Sequence, residues 1–351
     1  MTLTMLDTIM SIPLLMKEKL DIRESIKKAT QSIAKSKVKV IASGSSYNAA
    51  SIVKNFADEF LNIPVEIIYP NYFINHFTKS QYDKDSLYLF ISQGGGTTSV
   101  IDAIQMVHEV GGTTLSITEK HNSPVGRLSQ FNLEIGSKNE EFIYRTSGVT
   151  LTTLTLYIFL IYLAENFGTI TKDKSVEYIT ELEKYPTKVD SIIKLAIEEY
   201  GKYKYELNNS EAIFFAGGGS LWSVAQEADI KFMEMVPIIS NSFEIEEIIH
   251  GPQNCFTNKI SFFLLSNSQT DFEKALKIDS FIRKEVGAFS KVLAPYNYKN
   301  VTEIGDENAI FDPLLYLSYF QVLSYQFSQD KNRDLRKKIY PSIDKYINKT
   351  L

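Results

Sequence analysis

The chain has 351 residues, of which 44% are hydrophobic and 23% charged, and this composition is typical of a folded protein with one large domain or two smaller ones. The formal charge of −5, with Lys and Arg scattered along the chain, does not favour a nucleic-acid partner. The single cysteine, Cys255, excludes an intramolecular disulfide and favours a reducing compartment. One Cys and four His residues also exclude a Cys/His zinc cluster, so we expect no metal site.

The N-terminal residues lack the basic flank and the long apolar core of a signal peptide. Residues 149–164 are the one stretch that resembles a membrane span. They include four threonines and are too few for a clean span, which favours a buried core helix. We therefore expect a cytoplasmic enzyme or sensor without a membrane partner.

Strands and helices alternate through the first half of the chain. An amphipathic helical segment with a break near residues 21–22 comes first, over residues 5–35. Helical patterns follow the first and third of the strands below, at residues 48–56 and 100–110. Alternation of this kind predicts βαβ units and a doubly wound parallel sheet. Short apolar or β-branched runs predict five strands, at residues 38–41, 64–70, 86–92, 113–118 and 131–135.

A helical stretch follows at residues 149–200, and two helices meet within it near residues 166–168. We predict that this stretch contains an inter-domain connection, after which the alternation of strands and helices starts again. Residues 238–239 are too short to predict a strand. Two halves that each begin with a strand, a glycine-containing turn and a helix indicate a duplicated α/β unit. In the second half, strands are predicted at residues 211–216, 259–265 and 290–294, and helices at residues 221–236, 270–286 and 314–327.

The predicted boundaries divide the chain into five parts. These are an N-terminal helical segment, a first domain, a helical linker, a second domain and a C-terminal charged tail, at residues 1–35, 36–165, 166–205, 206–325 and 326–351.

Two turns with small and hydroxyl-bearing residues follow predicted strands, at residues 43–46 and 92–97. Each precedes a helix, where backbone N–H groups lack helical partners and the helix dipole favours an anion. Gly44 would let a ligand approach the backbone closely. The alternative is an ordinary strand-to-helix turn capped by a serine. The side chains that could together bind a dianion without a lysine are those of Ser45, Ser46, Ser92, Gln93 and Thr97.

Neither turn has the Gly-Lys-Ser/Thr of a P-loop or the Gly-x-Gly-x-x-Gly of a dinucleotide site. Nucleotide binding is therefore disfavoured.

Candidate acid–base groups lie in the second half of the chain. Glu227, Lys231 and Glu234 have the i, i+4, i+7 spacing that puts side chains on one helix face, although a solvated face is the alternative. His250 is followed by Gly-Pro, where a helix or strand must end, and a histidine there could shuttle protons near neutral pH. The charged residues 330–338 have the pattern of a solvated tail.

Four motifs resemble those of the sugar isomerase (SIS) domain family. They are Gly-Ser-Ser-Tyr-Asn at 44–48, Ile-Ser-Gln-Gly-Gly-Gly-Thr at 91–97, the segment 227–252 ending in Glu-Ile-Ile-His-Gly-Pro, and Asp-x-x-Arg-x-Leu-x-Lys at 330–337. The resemblance covers about residues 20–340 in the family's order. It is closest to the isomerase half of glutamine–fructose-6-phosphate aminotransferase, and the fructosamine-6-phosphate deglycases are close relatives.

The resemblance implies a fold and a binding site. The fold is α/β, with two tandem SIS domains, each a parallel sheet with helices on both faces in a flavodoxin-like three-layer sandwich. The site would bind a sugar phosphate and would need no metal or organic cofactor. The residues that would hold the phosphate are Ser46, Ser92, Gln93 and Thr97, with Ser45 adjacent.

The resemblance also implies catalytic roles. Glu234 would move a proton between C1 and C2, and burial would raise its pKa toward neutrality. His250 would assist ring opening, reaching in from the other subunit of a homodimer with a shared active site. Lys337 would lie on a C-terminal loop that closes over the sugar. The secondary members of the site would be Gly44, Gly94, Lys231 and Glu247.

Three positions depart from the family pattern. Gly94 replaces a serine and Gly96 replaces a glutamate, so the phosphate contacts would be fewer or the pocket wider. Gly148 stands where the aminotransferase has a lysine. No glutaminase domain precedes the predicted domains, so we do not expect the chain to make glucosamine 6-phosphate from glutamine.

Two hypotheses follow for the function. The first is a phosphosugar isomerase or deglycase (deaminase) that acts on an amino- or N-substituted sugar 6-phosphate by proton transfer between C1 and C2. The second is a non-catalytic sugar-phosphate-binding regulatory protein, which would usually carry an added DNA-binding or partner segment. Residues 1–35 are too short for a helix-turn-helix domain, so we favour the enzyme.

Overall fold

A computed structural model describes residues 3–34, 36–138 and 140–351. The chain divides into two compact units. The first α/β unit comprises Leu14–Lys184 and Arg336–Leu351, and the second comprises Met1–Pro13 and Tyr185–Leu335. Residues 1, 2 and 35 of the predicted N-terminal helical segment lie outside the described residues.

The break predicted in the N-terminal helical segment is confirmed at Ile22, where the backbone leaves the helical range. A further break at Ser11 divides the segment into three helices. The first of them begins with a capping box, in which Thr4 Oγ1 accepts from Asp7 N at 3.2 Å and the Asp7 carboxylate accepts from Thr4 N at 2.7 Å. The three helices are α1 (Met5–Met10), α2 (Ile12–Asp21) and α3 (Arg23–Gln31).

The first unit is built on a five-stranded sheet with the strand order β2-β1-β3-β4-β5, in which every neighbouring pair is parallel. This confirms the predicted doubly wound sheet. The central strand β3 is buried over its whole length, because helices cover both faces of a parallel sheet. The strands are β1 (Lys37–Ala42), β2 (Val65–Ile68), β3 (Ser86–Ile91), β4 (Thr113–Thr118) and β5 (Phe131–Glu134).

Seven helices of the first unit connect and cover these strands. Two of them, α6 and α8, were not predicted, although each begins with a proline at its first position, Pro70 and Pro124, which is a helix-start signal. The helices are α4 (Ser45–Ile52), α5 (Lys54–Phe60), α6 (Pro70–Asn75), α7 (Thr98–Glu109), α8 (Pro124–Leu128), α9 (Ser147–Phe167) and α10 (Lys172–Leu182).

Helix α9 is the core helix of the first unit. It is long and apolar enough to cross a membrane, but the whole of that stretch is buried inside the molecule, which confirms the predicted core helix. Its threonine hydroxyls donate to carbonyls one turn earlier, for example Thr152 Oγ1 to Gly148 O at 2.7 Å and Thr155 Oγ1 to Leu151 O at 2.7 Å. Polar side chains can therefore lie in this core because the helix itself satisfies them.

The second unit repeats the topology of the first. Its strand order is β10-β9-β8-β6-β7, again all parallel, so in each sheet the first strand lies between the second and the third. The predicted duplication is confirmed at the level of the fold. The strands are β6 (Ala212–Gly217), β7 (Ile239–Glu244), β8 (Ile260–Leu265), β9 (Ser290–Ala294) and β10 (Val301–Glu303).

Three helices of the second unit agree with the predicted ones to within a few residues, and a fourth continues eight residues past the predicted end at residue 200. They are α11 (Tyr185–Asn208), α12 (Ser220–Met235), α13 (Gln269–Phe281) and α14 (Pro313–Asp330). A π-helical turn continues α13 over Ile282–Val286. Short 3₁₀ helices lie at Lys79–Gln81, Glu247–Ile249, Pro252–Cys255 and Pro341–Lys345.

The prediction that residues 238–239 are too short for a strand is wrong, because β7 begins at Ile239 and continues to Glu244. Its sequence, Ile-Ser-Asn-Ser-Phe-Glu, has few apolar residues, since β7 is an edge strand with no fully buried residue. The short edge strand β10 was also missed. Edge strands do not need the continuous apolar pattern by which central strands are recognised.

Asp312, the first residue before α14, gives a test of the second unit's stability. It is fully buried and accepts hydrogen bonds from Tyr185 Oη at 2.7 Å and from Asp306 N at 2.6 Å. Burial raises its pKa from 3.8 to about 6. The folded protein therefore keeps this proton between pH 4 and 6, where the unfolded chain has lost it, and stability falls as pH rises through that window.

We expect Asp312→Asn to remove this dependence, because an amide cannot ionise. Relative to wild type, the variant should gain on the order of 3 kcal/mol in free energy of unfolding between pH 4 and pH 7, since one pKa unit corresponds to about 1.4 kcal/mol. Urea unfolding across that range measures the difference. Asp190→Asn, which changes an exposed carboxylate paired with Lys194, is the control. A pH-independent difference for Asp312→Asn would contradict the expectation.

Candidate functional site

The two predicted anion-binding turns follow neighbouring strands of the first sheet. The turn at residues 43–46 follows β1 and begins α4, and the turn at residues 92–97 follows β3 and begins α7. In the order β2-β1-β3-β4-β5, the direction of winding reverses between β1 and β3. Ligands of open α/β sheets bind in the crevice at this point, outside the carboxyl ends of the strands. We call these two turns the cradle.

The first turn of the cradle is shaped by Gly44, whose φ of 56° and ψ of −135° require glycine. Gly44 is also the residue that precedes α4, and within the described part of the chain no side chain caps this helix. The alternative of a serine-capped turn is therefore wrong. Ser45 and Ser46 are half-buried, and among the described residues their hydroxyls have no hydrogen-bond partner. They are available to a ligand together with the first N–H groups of α4.

The second turn of the cradle is held in place by its neighbours. Ser92 Oγ and Thr97 Oγ1 lie 2.9 Å apart and share a hydrogen bond across the turn. The backbone is anchored to the end of β4 by Ser92 N to Ile117 O at 3.1 Å and Glu119 N to Gln93 O at 2.9 Å. These bonds fix the backbone on which the predicted phosphate-binding side chains lie.

Gln93 points away from the open end of the turn. Its Nε2 donates to Glu140 Oε2 at 2.8 Å and to Ser137 Oγ at 3.3 Å. This position depends on Gly148, because a Cβ there would lie 2.0 Å from Gln93 Nε2. The departure noted at Gly148 thus has a structural consequence: a lysine could not occupy that position without displacing Gln93.

Glu140 is the buried residue that receives Gln93, and it also caps α9. Its Oε1 accepts from Thr146 N at 2.8 Å and Ser147 N at 3.1 Å, and its Oε2 accepts from Gly148 N at 3.3 Å. A carboxylate at a helix N-terminus satisfies otherwise unpaired N–H groups and interacts favourably with the helix dipole. The cradle and the core helix are therefore joined through one side chain.

The C-terminal residues of the chain contact both sides of this region. Arg336 Nη2 lies 3.6 Å from Glu141 Oε2, and the guanidinium lies 4.5 Å from the centre of the Phe142 ring. Farther on, Leu351 N donates to Gly96 O at 3.0 Å and Lys349 O accepts from Thr98 N at 3.2 Å. The segment is exposed, as predicted for a solvated tail, but it is attached to the cradle. Lys337, which is exposed, follows Arg336 directly.

The predicted acid–base helix is α12 of the second unit. Lys231 is 2% exposed, and its Nζ lies 2.8 Å from Glu234 Oε2 and 3.6 Å from Glu227 Oε1. The Glu227 side chain is also 2% exposed, whereas that of Glu234 is 38% exposed. The alternative of a solvated helix face is therefore wrong for Glu227 and Lys231. A buried lysine holds one end of Glu234, which stays accessible to a ligand.

Asp229, on the same helix, has a structural role. It is buried and accepts from the hydroxyls of Ser240 and Ser242, the latter at 3.2 Å, which attaches α12 to β7. Burial raises the pKa of Asp229, and the two serines oppose that rise.

His250 ends the 3₁₀ helix Glu247–Ile249, as its Gly-Pro sequence predicted, and Glu247 O accepts from its backbone N at 3.0 Å. Its side chain is 57% exposed, with Nε2 at 3.4 Å from Glu246 Oε1. The Glu247 side chain is exposed. Among the described residues, no hydrogen bond joins His250 to Glu234, and no cluster of three or more His, Cys, Asp or Glu side chains could hold a metal ion.

The second unit contains a turn equivalent to the first turn of the cradle. Gly219 precedes α12 with φ 54° and ψ −128°, nearly the angles of Gly44 before α4. Here, however, the chain itself supplies an anion. The Asp271 carboxylate lies against the neighbouring Gly218, where a Cβ would be 2.5 Å from Asp271 Oδ2. The two halves share a backbone geometry but differ in what occupies the turn.

The sequence pattern of the SIS domain family matches residues 33–162, which contain β1 to β5 and the cradle. This segment is a SIS domain. The whole chain has the fold of two tandem SIS domains, because its second sheet repeats the strand order of the first. The solved structure of a candidate phosphosugar isomerase from Clostridium difficile 630 has this fold, with a TM-score of 0.92 and 20% identity over 100% of this chain and 99% of that one.

The curated relatives that this chain matches are longer proteins. The glutamine–fructose-6-phosphate aminotransferase (isomerizing) of Clostridium tetani is 26% identical over 339 residues, which are 94% of this chain and 55% of that protein. The chain thus spans about half the length of the curated relatives it matches. The C-terminal domain of glucosamine-fructose-6-phosphate aminotransferase from Francisella tularensis superposes with a TM-score of 0.85, 20% identity and 94% and 97% coverage.

Two side chains beside the cradle were not identified from the sequence. Glu140 was not singled out, because nothing in an irregular stretch shows that it caps α9. Arg145, whose Nη1 donates to Glu140 O at 3.0 Å, had no motif around it. The signal that could have identified Glu140 is its position six residues before Thr146 and the helix start, within reach of unpaired N–H groups.

We expect Ser45→Ala/Ser46→Ala to weaken binding of glucose 6-phosphate at least tenfold. Hydrogen bonds to a charged group contribute about 1.5–3 kcal/mol each, and 1.4 kcal/mol is a factor of about ten in affinity. Ser220→Ala is the matched control, since Ser220 follows Gly219 as Ser45 follows Gly44. Titration calorimetry measures both. Equal affinity of the double variant and wild type would show that these serines do not bind the phosphate.

Proposed function

We propose that this chain is a cytoplasmic enzyme that acts on an amino- or N-substituted sugar 6-phosphate, by proton transfer between C1 and C2. Ser45, Ser46, Ser92 and Thr97 bind the phosphate, and Gln93, whose side chain donates to Glu140, holds the second turn of the cradle in place. Glu234 carries the proton, His250 assists ring opening and Lys337 contacts the sugar from the C-terminal segment. The relationship to phosphosugar isomerases and to the isomerase part of the aminotransferases supports this class of substrate.

The observation that carries the proposal is the cradle at the reversal of strand order in the first sheet. Two serine hydroxyls that have no hydrogen-bond partner among the described residues lie there with a helix N-terminus, and the backbone conformation of Gly44 places them. Hydroxyls and N–H groups can donate hydrogen bonds to a phosphate dianion without the repulsion that a nearby carboxylate would cause. Ligand sites lie at this position in open α/β sheets.

The chemistry needs one base and no redox partner. In an open-chain N-substituted fructosamine, a carboxylate removes a proton from C1 and gives an enolamine, which then takes a proton at C2. The product is an imine at C1, and one water hydrolyses it to glucose 6-phosphate and a free amine. An amine at C2 is released by the same proton shift in the opposite direction, and an unsubstituted sugar is isomerised through an enediol.

Glu234 suits this step because its carboxylate is held by a buried cation yet remains 38% exposed. A fixed, accessible carboxylate can exchange a proton with either carbon without changing its own position. His250, which is exposed on its own subunit, is free to act across the interface of a homodimer. We include the homodimer with a shared active site in the proposal.

The test is turnover of a panel of 6-phosphates, namely fructose, glucosamine, fructoselysine and glucoselysine derivatives, with sugar phosphate and free amine both detected. Wild type should convert at least one N-bearing member, and Glu234→Gln should lower kcat at least a hundredfold, because general acid–base groups contribute 10²- to 10⁴-fold. Glu198→Gln, an exposed carboxylate on α11, is the matched control and should keep wild-type activity.

Each outcome separates a different function. Amine release that is lost in Glu234→Gln indicates a deglycase or deaminase, and interconversion without amine release indicates an isomerase. Binding of sugar phosphates by calorimetry with no product from any of them would instead support a regulatory sugar-phosphate-binding protein. Full activity of Glu234→Gln would exclude the proposed proton route.

A further inference from the structure

A cavity of about 210 Å³ opens beside the cradle in the first unit. Gln93 and Gly94 form its cradle side, and the ends of β4 and of the loop before α9 form the rest. No atom of the described residues lies within 4 Å of a Cβ built on Gly94, so the glycine leaves the entrance of the cavity open. A group attached to a ligand in the cradle could therefore extend into this cavity.

The two carboxylates that line the cavity are already engaged by the protein. Glu140 accepts from Gln93 and from the N–H groups at the start of α9. Glu119 accepts from Ser137 N at 3.2 Å and from the Ser137 hydroxyl. Both oxygens of Glu140 and one oxygen of Glu119 are directed at these donors.

The cations that line the cavity are less committed. Arg145 is half-buried, and its Nη1 donates only to backbone carbonyls, Glu140 O at 3.0 Å and Phe142 O at 3.4 Å. Among the residues that the structure describes, no carboxylate forms an ion pair with Arg145 or with Lys120. Lys138, the third cation, pairs with Glu18 at 2.9 Å on the surface. Two cations thus face the cavity without a counter-ion from the described part of the chain.

From this arrangement we infer that the cavity binds a carboxylate on the nitrogen substituent of the substrate, with Arg145 and Lys120 as the specificity-determining residues. The inference rests on the proposed function, since the sugar phosphate places the substituent. An arginine presents a planar fork of donors that matches a carboxylate, and an ion pair half removed from water is stronger than one on the surface. The same charges disfavour a cationic substituent.

The test uses three fructosamine 6-phosphates with substituents of equal length, made from β-alanine, propylamine and ethylenediamine. These end in a carboxylate, a methyl and an ammonium group. Wild type should convert the β-alanine adduct with a kcat/KM at least tenfold above that of the propylamine adduct, and the ethylenediamine adduct should be the poorest substrate. Arg145→Gln and, separately, Lys120→Gln should bring the first two values within about threefold of each other.

Two further variants keep the result interpretable if Arg145→Gln fails to fold. Arg145→Lys keeps the charge and should retain part of the preference. Arg127→Gln removes an exposed arginine of α8 outside the cavity and should keep the wild-type ratio. Lys120→Gln removes a cation for which the described residues show no side-chain hydrogen bond, so it tests the charge alone.

The outcomes also distinguish this inference from the proposed function. If no adduct is bound or converted, the proposed function fails. If all three adducts are converted with equal kcat/KM, only the inference about the cavity is overturned. A second result would also overturn it. In that result, acetate or inorganic phosphate alone raises the thermal stability of wild type but not of Arg145→Gln, and the three adducts have equal kcat/KM. The cavity would then bind a free anion.

Discussion

The carboxylate of Glu140 sets the geometry on which the ligand-facing part of the first unit depends. It accepts from three backbone N–H groups at the start of α9 and from Gln93, and it is 7% exposed. One buried charge is therefore compensated entirely by directed hydrogen bonds, which is the condition under which burying it is tolerated. The cradle loop and the core helix cannot shift independently, because both donate to the same two oxygens.

Gly94 and Gly148, which replace other residues of the family pattern, have related effects. Gly148 makes room for the Gln93 side chain, which turns inward to Glu140, and Gly94 leaves space beside the turn that Gln93 begins. The second turn of the cradle thus has fewer side-chain donors than the family pattern supplies. Under the proposed function, we expect selectivity to depend less on the phosphate and more on the other groups of the ligand.

The sequence predicted the central strands and the core helix, because continuous apolar runs have no other stable location than a buried sheet or helix. It missed β7 and β10, whose edge positions remove that signal. In the site, Gly44 and the serines after it were predicted from local turn chemistry. The hydrogen bond from Gln93 to Glu140 was not, because the two residues are 47 positions apart. Contacts between segments distant in sequence leave no local pattern.

The carboxylate of Asp271 has a consequence for how many ligands one chain holds. The turn before α12 copies the backbone of the turn before α4, and duplication alone would give two equivalent phosphate sites. Asp271 places its negative charge against Gly218 in that second turn, where an incoming phosphate would meet repulsion. A fold with two repeated halves is thereby made asymmetric in binding, and we expect a stoichiometry of one sugar phosphate per chain.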